Sequence, residues 1–273
     1  GCHLMFIYIR GEFEHCHARM EQAMSEAYAK GHLGKNIYGS GYDLDMIVHT
    51  GGGAYICGEE TALLNSVEGE RGMSRMRPPF PAIEGLYACP TIVNNVESLA
   101  TVPHIINRGA DWYSSLGTEK SKGTKIFSLS GHVKRPGNYE VELGFNLKKL
   151  IYDPAYGGGM LGDKKLKGVI PGGASTPFLT PDKIDIGLDY ESLTTVGSML
   201  GSGAIIVFNE DACIVWVIKK LIHFFRHESC GKCTPCREGT GWLEQVINRI
   251  ERGQGMPGDI EKIEDVCGNI LGR

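Results

Sequence analysis

Three cysteines at two-residue spacing, Cys230, Cys233 and Cys236, stand within HESCGKCTPCREG, residues 227–239. Thiolates so spaced wrap one face of a metal centre, and Gly231 and Pro235 supply the turn. The spacing matches the first three positions of an iron–sulfur run, C-x2-C-x2-C. The bacterial ferredoxin form would place a fourth cysteine at position 240, where this chain has Thr240, so a fourth ligand must come from elsewhere. The alternative is a structural zinc held by three Cys and one His, using His223 or His227. Cys267 is the one cysteine downstream; its surroundings, IEDVCGNI, read as a helix end with the thiol on the apolar face. Cys2, Cys16, Cys57, Cys89 and Cys213 read as small buried hydrophobes.

A second chemical feature is VHTGGGAYICGEET, residues 48–61, which joins an apolar strand to a helix. Backbone N–H groups at such a start, uncovered by side chains, suit phosphate or ring oxygens. The dinucleotide fingerprint G-x-G-x-x-G is not met, since Gly51 and Gly53 would demand glycine where Ile56 stands, and the P-loop pattern is absent. Glu59 and Glu60 are two carboxylates beside a phosphate-type loop. Either they are first-turn acids on a solvated helix face, or one accepts hydrogen bonds from ribose hydroxyls and so selects NAD over NADP. Phe80, in RPPFP (77–81), sits on a proline-stiffened loop and either stacks on a flat ring or plugs the core. Asn94 and Asn95 open a helix in TIVNNVESLA, where Asn is a common cap.

These groups need a scaffold, and the pattern describes one. Residues 4–9 (LMFIYI) read as a buried strand, 14–30 as a helix, 45–49 (DMIVH) as a second strand, and 57–69 as a helix after the glycine loop. Strand–helix–strand–turn–helix is the grammar of an α/β nucleotide-binding domain. Beyond a polar bridge at 111–125, the hairpin around Arg135-Pro136-Gly137, a short helix LKKLIYD and the strand KGVIPGG describe a small β-grasp-like α+β domain. A strand, AIIVF (204–208), and a capped helix from Asn209 follow, and the remainder reads as helical apart from the cysteine segment. The expected divisions are 1–122, an α/β domain; 123–204, β-grasp-like; and 205–273, a helical domain carrying the metal.

Composition excludes several classes. The 28 basic and 32 acidic residues give a net charge of −4, unlike a general nucleic-acid binder. No uncharged apolar run reaches membrane-spanning length, and Leu4–Ile9 is too short and lacks the basic leader of a signal peptide. Nine cysteines, three of them crowded together, favour metal-binding thiols in a reducing compartment over a secreted disulfide scaffold.

Taken together, the strings YIRGEF, GKNIYGSGYDLD, GGGAYICGEETALLNSVEG, RPPFPA, PTIVNNVESLA, FSLSGHVKRPG, VIPGGASTP and HESCGKCTPCREGTGW resemble, in order and from end to end, the NADH-binding flavoprotein subunit of respiratory complex I. The diaphorase subunits of NAD-linked hydrogenases and formate dehydrogenases look similar. The resemblance implies a Rossmann-like FMN/NADH domain, a β-grasp-like domain and a helical [4Fe–4S] domain. By position, it implies FMN contacts at Tyr55, Gly58, Glu59, Asn94 and Asn95; NADH contacts at Glu60, Arg77 and Phe80; and cluster ligands Cys230, Cys233 and Cys236. It implies an NADH dehydrogenase electron-entry role in which hydride passes from NADH to FMN, and single electrons then pass to the cluster and on toward quinone. It also implies a thioredoxin-like [2Fe–2S] subunit and a large iron–sulfur subunit as partners, and a cytoplasmic place on the inner face of a bacterial membrane without insertion into it. The family carries a further glycine-rich FMN loop and an acidic loop before YIRGEF, and its fourth cysteine follows a Gly-Arg-Thr segment; this sequence runs from Gly1 to Gly272-Arg273. The expectation is a piece cut at both ends that retains FMN weakly or not at all. A non-catalytic, metal-clasped scaffold is the alternative of another class.

Overall fold

The computed structural model describes residues 1–272. The strand β1 (Leu4–Ile9) and the strand β2 (Asp45–Thr50) pair in parallel, Leu4 against Asp45 through Ile9 against Thr50. Parallel strands need a crossover, and α1 (Glu14–Ala29) supplies it, with Glu14 in the first turn where the helix dipole favours an acid. A one-turn 3-10 helix, Tyr55–Gly58, then leads into α2 (Glu60–Val67). The helices α3 (Val96–Arg108) and α4 (Ala110–Ser114) follow.

Next comes a mixed α/β segment: β3 (Thr124–Gly131), β4 (Gly137–Glu142), α5 (Leu147–Tyr152), β5 (Leu166–Ile170), α6 (Tyr190–Thr195) and β6 (Ala204–Asn209). Its sheet runs β4-β3-β6-β5, with β3 antiparallel to β4, parallel to β6, and β6 antiparallel to β5. Alternation drives the core. Phe127 and Leu129 of β3 and Ile205 and Val207 of β6 point inward and are buried against Leu147, Leu150 and Ile151 of α5. Asn146 caps α5 by accepting from the Lys149 amide at 3.0 Å. Three helices finish the chain: α7 (Ile214–Glu228), α8 (Thr234–Glu251) and α9 (Asp259–Ile270).

The chain is thus a mixed α/β protein. Among the described residues the first sheet holds only β1 and β2, one β–α–β crossover of the expected Rossmann-like grammar. The chain separates into two compact units, one of Gly1–Val93 with the segment from Ile222 onward, the other of Asn94–Leu221. A division after 204 would sever β6, an inner strand whose hydrogen bonds to β3 and β5 hold the four-stranded sheet together. The apolar run AIIVF reads from sequence as a strand, and it is one, but nothing local says which sheet it joins. Its partners lie far upstream, where periodicity cannot reach. No helix among the described residues is long and apolar enough to cross a membrane.

In the first unit, α8 packs on α9 by small-residue contact. A Cβ placed on Gly239 would lie 3.0 Å from Val266 Cγ1 and 3.1 Å from Ile270 Cδ1. Asp259, buried at the start of α9, accepts from the Met256 amide at 2.8 Å and pairs with Arg249 of α8. Glu244 of α8, also buried, joins α8 to the last turns of α7: it pairs with Arg226 and with His223 Nδ1 at 2.7 Å. Arg226, followed by His223, holds the Glu244 carboxyl below the ordinary carboxylate range. A depressed folded-state pKa gives stability that is present above the unfolded value, near 4.3, and is lost as pH falls through the folded one. Acid titration followed by helical circular dichroism is therefore expected to show a loss beginning below about pH 4.3 that Glu244→Gln flattens. At neutral pH the same variant is expected to cost about 1–2 kcal/mol, a discounted figure because both cationic partners are more than half exposed.

Candidate functional site

In the first unit, the chain leaves β2 at Thr50 and turns through Gly51-Gly52-Gly53. The Gly51 amide donates to the Ile9 carbonyl at 2.8 Å, locking this turn to the carboxyl end of β1. A Cβ on Gly51 would strike the Tyr8 hydroxyl at 2.1 Å, so a side chain there would have to displace the Tyr8 ring. That phenol is itself fixed by a 2.9 Å hydrogen bond to the Ser66 hydroxyl of α2. Gly53 has φ +88°, the left-handed region. Gly52 and Gly58 differ, since a Cβ on either would meet nothing within 4 Å. Their bare backbone borders open space, and Gly52 lies just past the carboxyl end of β2, where open α/β sheets bind ligands. A cavity of about 160 Å³ lined by Arg10, Gly11, Glu14, His17 and Thr50 adjoins the same strand ends.

Glu59 and Glu60 have different tasks. Glu59 is the N-cap of α2, its Oε2 accepting from the Thr61 amide at 3.0 Å and the Ala62 amide at 2.9 Å. Partial burial alone would raise its carboxyl. Hydrogen bonds from the Thr61 hydroxyl and the Ala62 amide, together with Arg77, outweigh this and hold it below the ordinary range. Glu60 opens the helix and pairs with Arg77 at 3.1 Å; the same guanidinium nitrogen also binds Glu59. Arg77 is brought there by Arg75, whose side chain donates to Asn65 at 2.7 Å, to the Gly85 carbonyl at 3.0 Å and to Glu68 at 2.6 Å. Phe80 is 52% exposed, which rules out the core-plug reading. The first unit thus brings together Tyr55, Gly58, Glu59, Glu60 and Arg77, with Phe80 three residues beyond Arg77 on the same loop.

Asn94 and Asn95 lie in the second unit and are exposed. Asn95 is the N-cap of α3, its side-chain oxygen accepting from the Glu97 amide at 2.7 Å. That leaves its amide N–H groups as what it offers a ligand.

The cysteine segment links α7 to α8. Cys233 is the N-cap residue of α8, Pro235 stands in the first turn, and Cys236 follows; Cys230 is in the preceding loop. Ser229 Oγ lies 3.3 Å from Cys236 Sγ, and Arg237 closes the loop by donating to the Gly231 carbonyl at 2.7 Å. Three soft thiol donors in one short turn fit an iron–sulfur cluster by their chemistry. Among the described residues, however, no three His, Cys, Asp or Glu side chains are gathered closely enough to hold a metal ion. His223 is engaged by Glu244 and His227 faces Glu228, so the structure adds no histidine to the thiols. Cys267, on α9, is exposed. Of the lone cysteines expected to be buried, only Cys57 is; Cys2, Cys16, Cys89 and Cys213 are exposed. Composition ranks cysteine among buried residues on average and cannot say which copies face inward.

Sequence reasoning also missed contacts that tie this segment to the glycine loop. Glu228 accepts from the Tyr55 amide at 3.0 Å, the Phe224 ring meets the Tyr55 ring edge-on at 5.1 Å, and the Lys232 ammonium binds the Ser74 carbonyl. No local signal announces pairs so far apart in the chain.

Residues 1–104 match the family described as the Nuo51 FMN-binding domain, and residues 216–273 match the NADH-ubiquinone oxidoreductase-F iron-sulfur binding region. The first matched stretch carries the glycine loop and the second carries the cysteine turn. The chain is 53% identical over 271 residues to an NADH-quinone oxidoreductase subunit of Mycobacterium bovis, covering 99% of this chain and 60% of that protein. To the corresponding NADH-quinone oxidoreductase subunit of Streptomyces coelicolor it is 54% identical, covering 98% and 59%. It thus spans about three fifths of the length of these curated relatives. Among solved structures, an NAD+-reducing [NiFe]-hydrogenase in the H2-reduced state superposes with a TM-score of 0.85 at 31% identity, covering 99% of this chain and 44% of that one.

Proposed function

We propose that this chain is the flavin- and cluster-bearing part of an electron-entry subunit of an NADH:quinone oxidoreductase. One observation carries the reading: a glycine loop with two open-faced glycines, an acid–arginine cluster and the cysteine turn all belong to one compact unit. When bound, FMN supplies the conversion between two-electron hydride chemistry and one-electron transfer. The residues of this chain bind and orient. Gly58 and the neighbouring loop offer bare backbone to the flavin, with Tyr55 beside it and Glu59 fixing the helix start. Glu60 accepts from the ribose hydroxyls of NADH, Arg77 holds that acid in place, and Phe80 offers its exposed ring to the flat dinucleotide. Cys230, Cys233 and Cys236 supply three thiolates to a [4Fe–4S] cluster.

The domain scheme that goes with this reading is a Rossmann-like FMN/NADH module, a β-grasp-like module extended through β6, and a helical cluster module. A thioredoxin-like [2Fe–2S] subunit and a larger iron–sulfur subunit are the expected partners, at the cytoplasmic membrane face. A diaphorase of an NAD-reducing hydrogenase is the second reading, favoured by the hydrogenase superposition; the much higher identity to the NADH-quinone oxidoreductase relatives supports the first.

The test is analysis of the full-length protein purified without oxygen. Flavin, iron and acid-labile sulfide are expected together with NADH-dependent reduction of ferricyanide. Zinc without sulfide, and no flavin, would instead establish the metal-clasped scaffold.

A further inference from the structure

We infer that Glu228 is a positioning residue that ties the flavin loop to the cluster loop. The inference rests on the flavin-and-cluster reading above and concerns contacts within the first compact unit.

Glu228 ends α7, two residues before Cys230. Its side chain is only 18% exposed, although it carries no strong ion pair: His227 Nδ1 lies 3.3 Å from one carboxylate oxygen and is itself largely in solvent. The other oxygen accepts from the Tyr55 amide at 3.0 Å, across 173 residues of sequence. Tyr55 is the first residue of the 3-10 turn that leads to Glu59 and α2, so its amide has no partner within that turn. A carboxylate there makes a charge-assisted hydrogen bond at the start of the turn. Four residues before Glu228, on the same face of α7, Phe224 packs edge-on against the Tyr55 ring. Tyr55 is therefore held twice by the last turn of α7, once by its backbone and once by its ring. On the far side of Cys230, the Lys232 ammonium binds the Ser74 carbonyl, in the stretch that carries Arg75 and Arg77. The loop bearing Cys230 is thus fastened at both ends to the segment proposed to bind the flavin and NADH.

An electron donor and acceptor need a fixed spacing, and helices carried on independent loops would not give one. The clamp makes the conformation of the Tyr55 turn depend on the α7 end, so a change at Glu228 reaches the flavin site without touching the flavin.

The test uses the full-length protein, in wild-type form and as Glu228→Gln and Glu228→Ala. The amide oxygen of Gln still accepts from the Tyr55 amide; Ala cannot. The readouts are the dissociation constant for FMN, by quenching of flavin fluorescence in deflavinated protein, and the bound flavin's midpoint potential, both well below each variant's unfolding temperature. Glu228→Ala is expected to weaken FMN binding about tenfold and shift the potential, with Glu228→Gln returning both most of the way. Unchanged flavin affinity and potential in a folded Glu228→Ala protein would overturn the inference, as would equal losses in Gln and Ala. If Glu228→Ala fails to fold, the Gln variant decides: near wild-type flavin affinity sustains the hydrogen-bond role, and lost affinity with unchanged stability refutes it. Failure of the underlying reading has a separate signature, because the wild-type protein itself would then bind no FMN.

Discussion

Cys233→Ala is expected to leave the full-length protein folded yet strip it of iron and acid-labile sulfide, from about four iron atoms per chain to nearly none. Cys233 occupies the N-cap of α8, but its side chain makes no capping hydrogen bond and is exposed. Removing the thiol therefore deletes no packing and no cap, and the melting temperature of the cluster-free state is expected to stay within a few degrees. The one thing lost is a thiolate donor. Flavin reduction by NADH is expected to survive while the reduced-cluster electron paramagnetic resonance signal disappears. Cys213→Ala, a change at an exposed thiol in the second unit, serves as the control and is expected to alter neither. Full iron in Cys233→Ala would remove that cysteine from the ligand set.

Glu60→Gln is expected to cut the preference for NADH over NADPH, measured as the ratio of kcat/KM, by about tenfold or more. The structure gives different partners to two acids that residue type and spacing alone leave equivalent. Glu59 has spent one carboxylate oxygen on the α2 amides and the other on Arg77. Among the described residues Glu60 pairs with Arg77 alone, so it retains acceptor capacity for a ribose. A charged Glu60 would repel a 2′-phosphate; neutral Gln lifts that repulsion and frees Arg77 to meet the phosphate, and about 1.4 kcal/mol corresponds to tenfold. Glu59→Gln should act differently, costing about 1 kcal/mol of stability through a weakened cap. An unchanged cofactor ratio in Glu60→Gln would show that some other group meets the ribose.

What could be read from the chain followed local physics. The apolar run at Leu4–Ile9 forms a strand because Phe6, Ile7, Tyr8 and Ile9 favour extended backbone before an Arg-Gly break, and Asp45–Thr50 forms its partner around Ile47, Val48 and Thr50. The glycine loop reads as a tight turn into a helix, and it is one, though the first turn winds as a 3-10 helix before α2 begins. The rest depended on distance. Which of two adjacent glutamates caps the helix is decided by the extended backbone of Glu59, a conformation that spacing does not reveal. That Phe80 is exposed depends on the Arg75 anchor, which holds the neighbouring stretch to α2 through three hydrogen bonds. The grip of Glu228 on Tyr55 joins segments 173 residues apart, each of which looks complete by itself.

The inner position of β6 has a consequence for how the second unit comes into being. Its neighbours β3 and β5 lie about 76 and 40 residues earlier, so most of the sheet's pairing is of high contact order and cannot close until residue 209 has been synthesised. Until then the long edge of β3 stands open, with Phe127 and Leu129 unburied, and an open apolar strand edge is a template for joining another chain. A piece ending at residue 204 would keep that edge permanently and is the form most prone to aggregate. A piece carried through β6 into α7 would close it.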